Sequence, residues 1–100
     1  MKLRSVVFAP EAQADLSDLY DWIADAATPA TALGYVERIE AFCARLSAGS
    51  LRGHLRDDIR PGLRIIGFER RVTVAFVVEP ETVVILRLLY AGRTPEGGGP

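Results

Sequence analysis

Arginine is the residue type whose chemistry dominates this chain. Every basic residue except Lys2 is an arginine, and six fall in one stretch: Arg52, Arg56, Arg60, Arg64, Arg70 and Arg71, against Asp57, Asp58 and Glu69. The guanidinium is a planar fork suited to bidentate contact with carboxylates and phosphates. The stretch therefore reads either as a binding surface or as a solvated one with scattered ion pairs of little energetic weight. The opposite charge gathers earlier, where Glu11, Asp15, Asp18, Asp21 and Asp25 are all acidic. Asp15, Asp18, Asp21 and Asp25 recur at helical spacing, which predicts a solvated stripe. Acid–base catalysis by paired carboxylates needs a cleft, and the sequence offers no sign of one here. Cys43 and His54 are each the sole residue of their type, which argues against a zinc site and an internal disulfide. No metal or cofactor is expected.

These side chains must be held by a small scaffold. One hundred residues with a net charge of −1 and half of them hydrophobic make one folded domain with a modest core. No apolar run reaches the roughly 20 residues that span a bilayer, and the region from Met1 to Pro10 lacks the apolar core of a signal peptide. A free cysteine fits a reducing compartment, so a cytoplasmic location is expected.

Hydrophobic spacing then lays out the elements. Lys2 to Phe8 reads as a strand stopped by Pro10. Pro10 to Ala27 reads as a helix whose apolar face is Ala12, Leu16, Leu19, Tyr20 and Ile23. Thr28-Pro29 predicts a capped start for a second helix reaching about Ala48, with Ala32, Tyr35, Val36, Ile39, Phe42, Cys43 and Leu46 inward and Gly49 as its stop. On that face Cys43 is a packed thiol rather than a nucleophile. Ser50 to Gly62 reads as a polar connection ending in a Pro61-Gly62 turn. Leu63–Phe68, Arg71–Glu79 and Thr82–Tyr90 follow as three strands of a meander. The expected architecture is α+β, in the order β-α-α-β-β-β, with a helical hairpin on a small antiparallel sheet and the first strand on one edge of the meander. Val77, Val83, Ile85 or Leu89 is expected to contribute an apolar surface on the uncovered face, which would suit a partner. The domain is expected to span residues 1–93, followed by a Pro/Gly-rich tail over 94–100.

That order, together with particular residues, resembles the ParE/RelE superfamily of toxins. Ala12-Gln13-Ala14-Asp15-Leu16 through Trp22-Ile23 is similar to the family's first-helix pattern. Ile59-Arg60-Pro61-Gly62-Leu63-Arg64 resembles the segment that opens its meander. Val83 to Arg93, with Arg87-Leu88-Leu89-Tyr90 at its centre, resembles the closing strand.

The resemblance implies a toxin of a type II toxin–antitoxin system, neutralised by an antitoxin of ribbon-helix-helix, ParD-like or similar kind. It also implies two alternative activities. ParE-like members inhibit DNA gyrase. RelE-like members are metal-independent, ribosome-dependent mRNA endoribonucleases, and for that chemistry Arg64, Tyr90 and Arg93 are the matching positions. Cleaving a phosphodiester requires cations on the scissile phosphate. Ile66 and Thr73 stand where such relatives place two of them, which favours the gyrase-inhibitor reading. Arg60, Arg64, Arg71, Arg87, Tyr90 and Arg93 are then the expected contacts to antitoxin or target. A non-toxic binding module with the same fold is the third possibility.

Overall fold

A computed structural model describes residues 3–92; Arg93 and the Pro/Gly-rich segment lie outside the described residues. The chain forms β1 (Ser5–Phe8), α1 (Pro10–Ala26), α2 (Pro29–Ala44) with a 3-10 turn at Arg45–Ser47, then β2 (His54–Leu55), β3 (Leu63–Phe68), β4 (Val72–Val78) and β5 (Thr82–Leu89). The strands make a single sheet in the order β1-β5-β4-β3-β2. The meander β3-β4-β5 is antiparallel as expected, and β1 joins its β5 edge in parallel, with Ser5 opposite Thr82 and Phe8 opposite Ile85. The sheet is thus mixed, and it has one strand more than the sequence suggests. β2 is only two residues long, pairing His54 with Ile65 and Leu55 with Arg64, too short to leave a periodic signal.

Local chemistry sets the helices. Pro10 occupies the first turn of α1, and Gln13 Nε2 donates to the Phe8 carbonyl at 3.0 Å, fastening the helix to the strand before it. Thr28 caps α2 as expected, its hydroxyl accepting from the Thr31 amide at 3.0 Å with Pro29 in the first turn. The two helices cover one sheet face. Ala12, Leu19, Tyr35, Ile39, Cys43 and Leu46 pack there against Phe68, Val72, Val74, Phe76, Val83, Ile85 and Leu88.

Val83 and Ile85 are therefore core residues of the helix-covered face, both fully buried, and not part of an open apolar surface. Cross-strand register explains it: Val83 lies opposite Val78 and Ile85 opposite Phe76, both packed on the helix side. Leu89 is also buried. Of the four residues expected on the uncovered face, Val77 is the half-buried one, paired with Val84.

Two irregularities interrupt the sheet. The β4–β5 register passes from Ala75↔Arg87 to Phe76↔Ile85, so Leu86 is an extra residue on β5, a β-bulge that twists the strand near its end. In the β3–β4 turn, Glu69 and Arg70 both take left-handed conformations, with φ of 49° and 61°. Hairpin turns with two such residues normally use Asn-Gly, because a Cβ is strained there.

Candidate functional site

The candidate residues fall into three places. The first is the seam between α1 and β5. β1 ends at Phe8, and the last bond from its side is the Ala9 amide to the Ile85 carbonyl at 2.9 Å. Beyond that point no strand among the described residues lies beside the outer edge of β5. Asp15, on α1, takes over: Oδ2 accepts from the Leu88 amide at 2.9 Å and from Arg87 Nε at 2.7 Å, and Oδ1 accepts from Arg87 Nη2 at 3.0 Å. Asp15 is thus buried, with 6% of its side chain exposed. It does not belong to the solvated stripe predicted for it; three donors replace the water it gives up. Arg87 holds its proton still more firmly than a free arginine because of the hydrogen bond to Asp15. Its guanidinium is committed to the fold, although 40% of the side chain remains exposed. The sequence does carry a signal for this. Asp15 lies three residues after Ala12 and four before Leu19, on the apolar stripe of α1.

The second place is the β2–β3 edge. Arg60 is exposed in the turn that precedes Gly62. Asp57 fixes that turn by accepting from the Gly62 amide at 2.7 Å, and Arg56 pairs bidentately with Asp58 at 2.9 Å for both bonds. The Asp58 carboxyl is held below the usual carboxylate range by its hydrogen bonds to Arg56. Arg64 is half-buried, and its Nη1 donates to the Arg52 carbonyl at 3.4 Å. Exposed Leu51 and Leu55 lie among these arginines.

The third place is a cleft of about 560 Å³ at the opposite end of the sheet. One wall is the C-terminal half of α1, with Trp22 and Ile23; another is α2, with Tyr35 and Arg38; the floor and rim bring in Arg71 and Tyr90. Trp22 is half-exposed and stacks on Tyr90, with ring centroids 5.5 Å apart and 30° between planes. Arg38 lies over the Tyr35 ring at 5.1 Å and pairs bidentately with Glu69, at 3.0 and 3.2 Å. Tyr35 Oη is buried with no hydrogen-bond partner among the described residues. Burial, ahead of the nearby Glu69 charge, pushes its pKa up, so it remains a hydroxyl. Of these groups, the sequence singles out only Arg71 and Tyr90.

The six predicted contact residues are therefore not assembled together. Arg71 and Tyr90 share the cleft, Arg60 and Arg64 share the far edge, Arg87 is clasped by Asp15, and Arg93 lies outside the described residues. Arg64 is opposite Phe76, whereas Tyr90 follows Leu89, which is opposite Thr73. This separates Arg64 and Tyr90 by roughly 13 Å along the strands and about 9.5 Å across them. Neither Ile66 nor Thr73 offers a cation between them: Ile66 packs on the core and Thr73 faces Gly67 across the sheet. No group of three His, Cys, Asp or Glu among the described residues could hold a metal ion.

Comparison with known proteins places this geometry. The family model described as the ParE toxin of the type II toxin–antitoxin system parDE matches residues 6–95. The chain belongs to the ParE toxin family. Among solved structures, the toxin is similar to a chain of the chromosomal ParDE toxin–antitoxin system from P. aeruginosa, with a TM-score of 0.77 and 28% identity over 88% of this chain and 96% of that one. No curated protein matches it by sequence. The matched span includes the Asp15–Arg87 clasp and the whole cleft. The toxin is accordingly one half of a two-component system whose other half is an antitoxin. Among the described residues, no helix is long and apolar enough to cross a membrane.

Proposed function

We propose that this toxin acts in the cytoplasm by binding and inhibiting DNA gyrase, and that a ParD-like, ribbon-helix-helix antitoxin neutralises it by covering its arginine-bearing surface. The observation that carries this reading is the dispersal of the cationic and aromatic candidates. Phosphoryl chemistry without a metal needs cations converging on one phosphate and an acid or base beside it. Arg64 and Tyr90 sit at opposite ends of the sheet, and each arginine of the clasp and of the Arg56–Asp58 pair already has a carboxylate. Charge spread over edges and rims is instead what steers protein association.

A supercoiling assay with purified toxin tests this. Loss of supercoiling with accumulation of cleaved DNA is the expected outcome; full gyrase activity at saturating toxin overturns it. Primer extension on cellular messages after induction tests the nuclease alternative, and new 5′ ends would establish that alternative. Co-expression with the antitoxin is expected to yield a complex that restores supercoiling.

A further inference from the structure

The cleft holds chemistry that binding to a protein target does not require. Its volume lies within the range of small-molecule sites, which is about 300–1,000 Å³. Such sites are mostly apolar with a few convergent polar groups, and this one has three features that point to one kind of ligand.

The first is an aromatic platform. Trp22 is one of the few large hydrophobic side chains left half-exposed, and its stack on Tyr90 fixes the plane of the ring. A fixed aromatic face favours another flat ring. The second is an orphan donor. Tyr35 is 7% exposed, and its hydroxyl has no partner among the described residues. A buried hydroxyl without a hydrogen bond is costly, and it is satisfied by any acceptor that reaches it. The third is charge. Arg38 pairs with Glu69, and the Glu69 carboxylate also feels Arg71, so the α2–β4 side of the lining carries two guanidiniums against one carboxylate, a net positive charge beside Tyr35. Asp18 and Asp25 sit on the α1 side, exposed and outside the lining. A ligand with one charged end therefore points its anion away from α1, toward α2 and β4.

We propose that this cleft binds a small planar aromatic anion, with its ring against Trp22 and its charged group between Arg71 and Tyr35 Oη. The groups that share the hydroxyl's surroundings, Arg38, Glu69 and Arg71, are exposed side chains. Exposed side chains exchange rotamers readily, and displacing them is the movement an anion requires to reach the buried hydroxyl. The ring and the charge are both required, because stacking alone and a single exposed guanidinium alone are each weak in water. The site does not depend on the gyrase reading.

Trp22 is the only tryptophan of the chain, so its fluorescence reports on the cleft directly. The full-length toxin is titrated with adenosine 5′-monophosphate and, separately, with 4-hydroxybenzoate, which distinguish a phosphate-bearing base from an aromatic carboxylate. Adenosine and inorganic phosphate serve as the ring-only and charge-only controls. Saturable quenching in the sub-millimolar range by at least one ring anion, and much weaker binding of both controls, is expected. Arg71→Ala, an exposed position that leaves Trp22 in place, is expected to weaken binding by roughly tenfold or more, as for loss of a charged hydrogen bond. Tyr35→Phe is expected to weaken it roughly three- to tenfold while raising Tm, because the variant removes an unsatisfied buried hydroxyl. Those opposite signs distinguish a ligand-binding hydroxyl from a purely structural one. The proposal is overturned if neither ring anion produces a saturable change, if inorganic phosphate alone binds as well as the ring anions, or if Arg71→Ala binds as the parent does.

Discussion

Two arginine–carboxylate pairs tie the helices to the sheet, and their geometries are nearly the same. Arg87 and Asp15 join β5 to α1 with bonds of 2.7 and 3.0 Å; Arg38 and Glu69 join α2 to the β3–β4 turn with bonds of 3.0 and 3.2 Å. Their surroundings differ. Asp15 is buried and also holds the Leu88 amide, whereas the Arg38 and Glu69 side chains are 56% and 41% exposed. Water competes for the second pair and not for the carboxylate of the first. The same bidentate fork is therefore a structural pin in one place and an exchangeable surface contact in the other.

Breaking the first pair gives the largest expected effect. Arg87→Met takes the guanidinium from a buried carboxylate, and destabilisation by about 3 kcal/mol is expected in chemical denaturation. Arg87→Lys recovers only part of this, because an ammonium cannot reproduce the fork. Changing both partners, as Asp15→Leu with Arg87→Met, sharpens the point. It removes the charges together but still orphans the Leu88 amide, so its cost is expected to fall below that of the single variant, to about 1–2 kcal/mol.

A smaller effect of opposite sign is expected beside the second pair. Arg70→Gly relieves one left-handed, non-glycine position, so stabilisation of about 1 kcal/mol is expected from thermal unfolding. The smallest effect belongs to the second pair itself. Glu69→Gln is expected to leave the denaturation midpoint almost unchanged at neutral pH. The Glu69 carboxyl is held below its ordinary value by the hydrogen bond to Arg38. Whatever stability it contributes is present above the unfolded carboxyl's pKa and is lost as pH falls through the lowered folded value. Midpoints of the parent and Glu69→Gln proteins, followed by circular dichroism from neutral to acid pH, are expected to converge at the acid end.

Cys43 adds a pH dependence of the other sign, from the core beneath both pairs. Burial pushes its thiol up to about 12 from 9.0. A folded-state value raised above the unfolded one contributes stability below pH 9 that is lost as pH rises toward 12. The native thiol is expected to resist Ellman's reagent at mildly alkaline pH and to react on unfolding.

The parts of this fold that are legible in the sequence are those with a sustained period. α1 and α2 announce themselves by apolar residues at three- and four-residue spacing, Thr28-Pro29 by its capping chemistry, and β3, β4 and β5 by the change to alternation after Gly62. β2 is not legible because two residues, His54 and Leu55, cannot establish a period. Alternation along β5 does not decide which face meets the helices, so Val83 and Ile85 are expected on the open side and lie on the covered one. Beyond Ile85 the bulge at Leu86 breaks the alternation, which is why Leu88, Leu89 and Tyr90 are buried in succession. Asp15 looks like a surface residue because its charge outweighs its place on the apolar stripe. The cleft is half legible. Tyr90 and Arg71 are visible as candidates, but Trp22, Tyr35 and Arg38 converge only once the hairpin closes over the end of the sheet.

The parallel pairing of β1 with β5 has a consequence for how the molecule comes into being. Ser5 must find Thr82, and Asp15 must find Arg87 and Leu88, so contacts from the first fifth of the chain are completed only by the strand translated last among those described. Closing such long loops is slow, because the ends must meet before any contact offsets the lost freedom. While β5 is still inside the exit tunnel, β1 and one edge of β4 lack their neighbouring strand, and Asp15 lacks Arg87 and the Leu88 amide. A nascent or prematurely terminated chain is for that reason incompletely folded. Translation thus confers a built-in delay, during which an antitoxin already present in the cell can be the first protein that the finished surface meets.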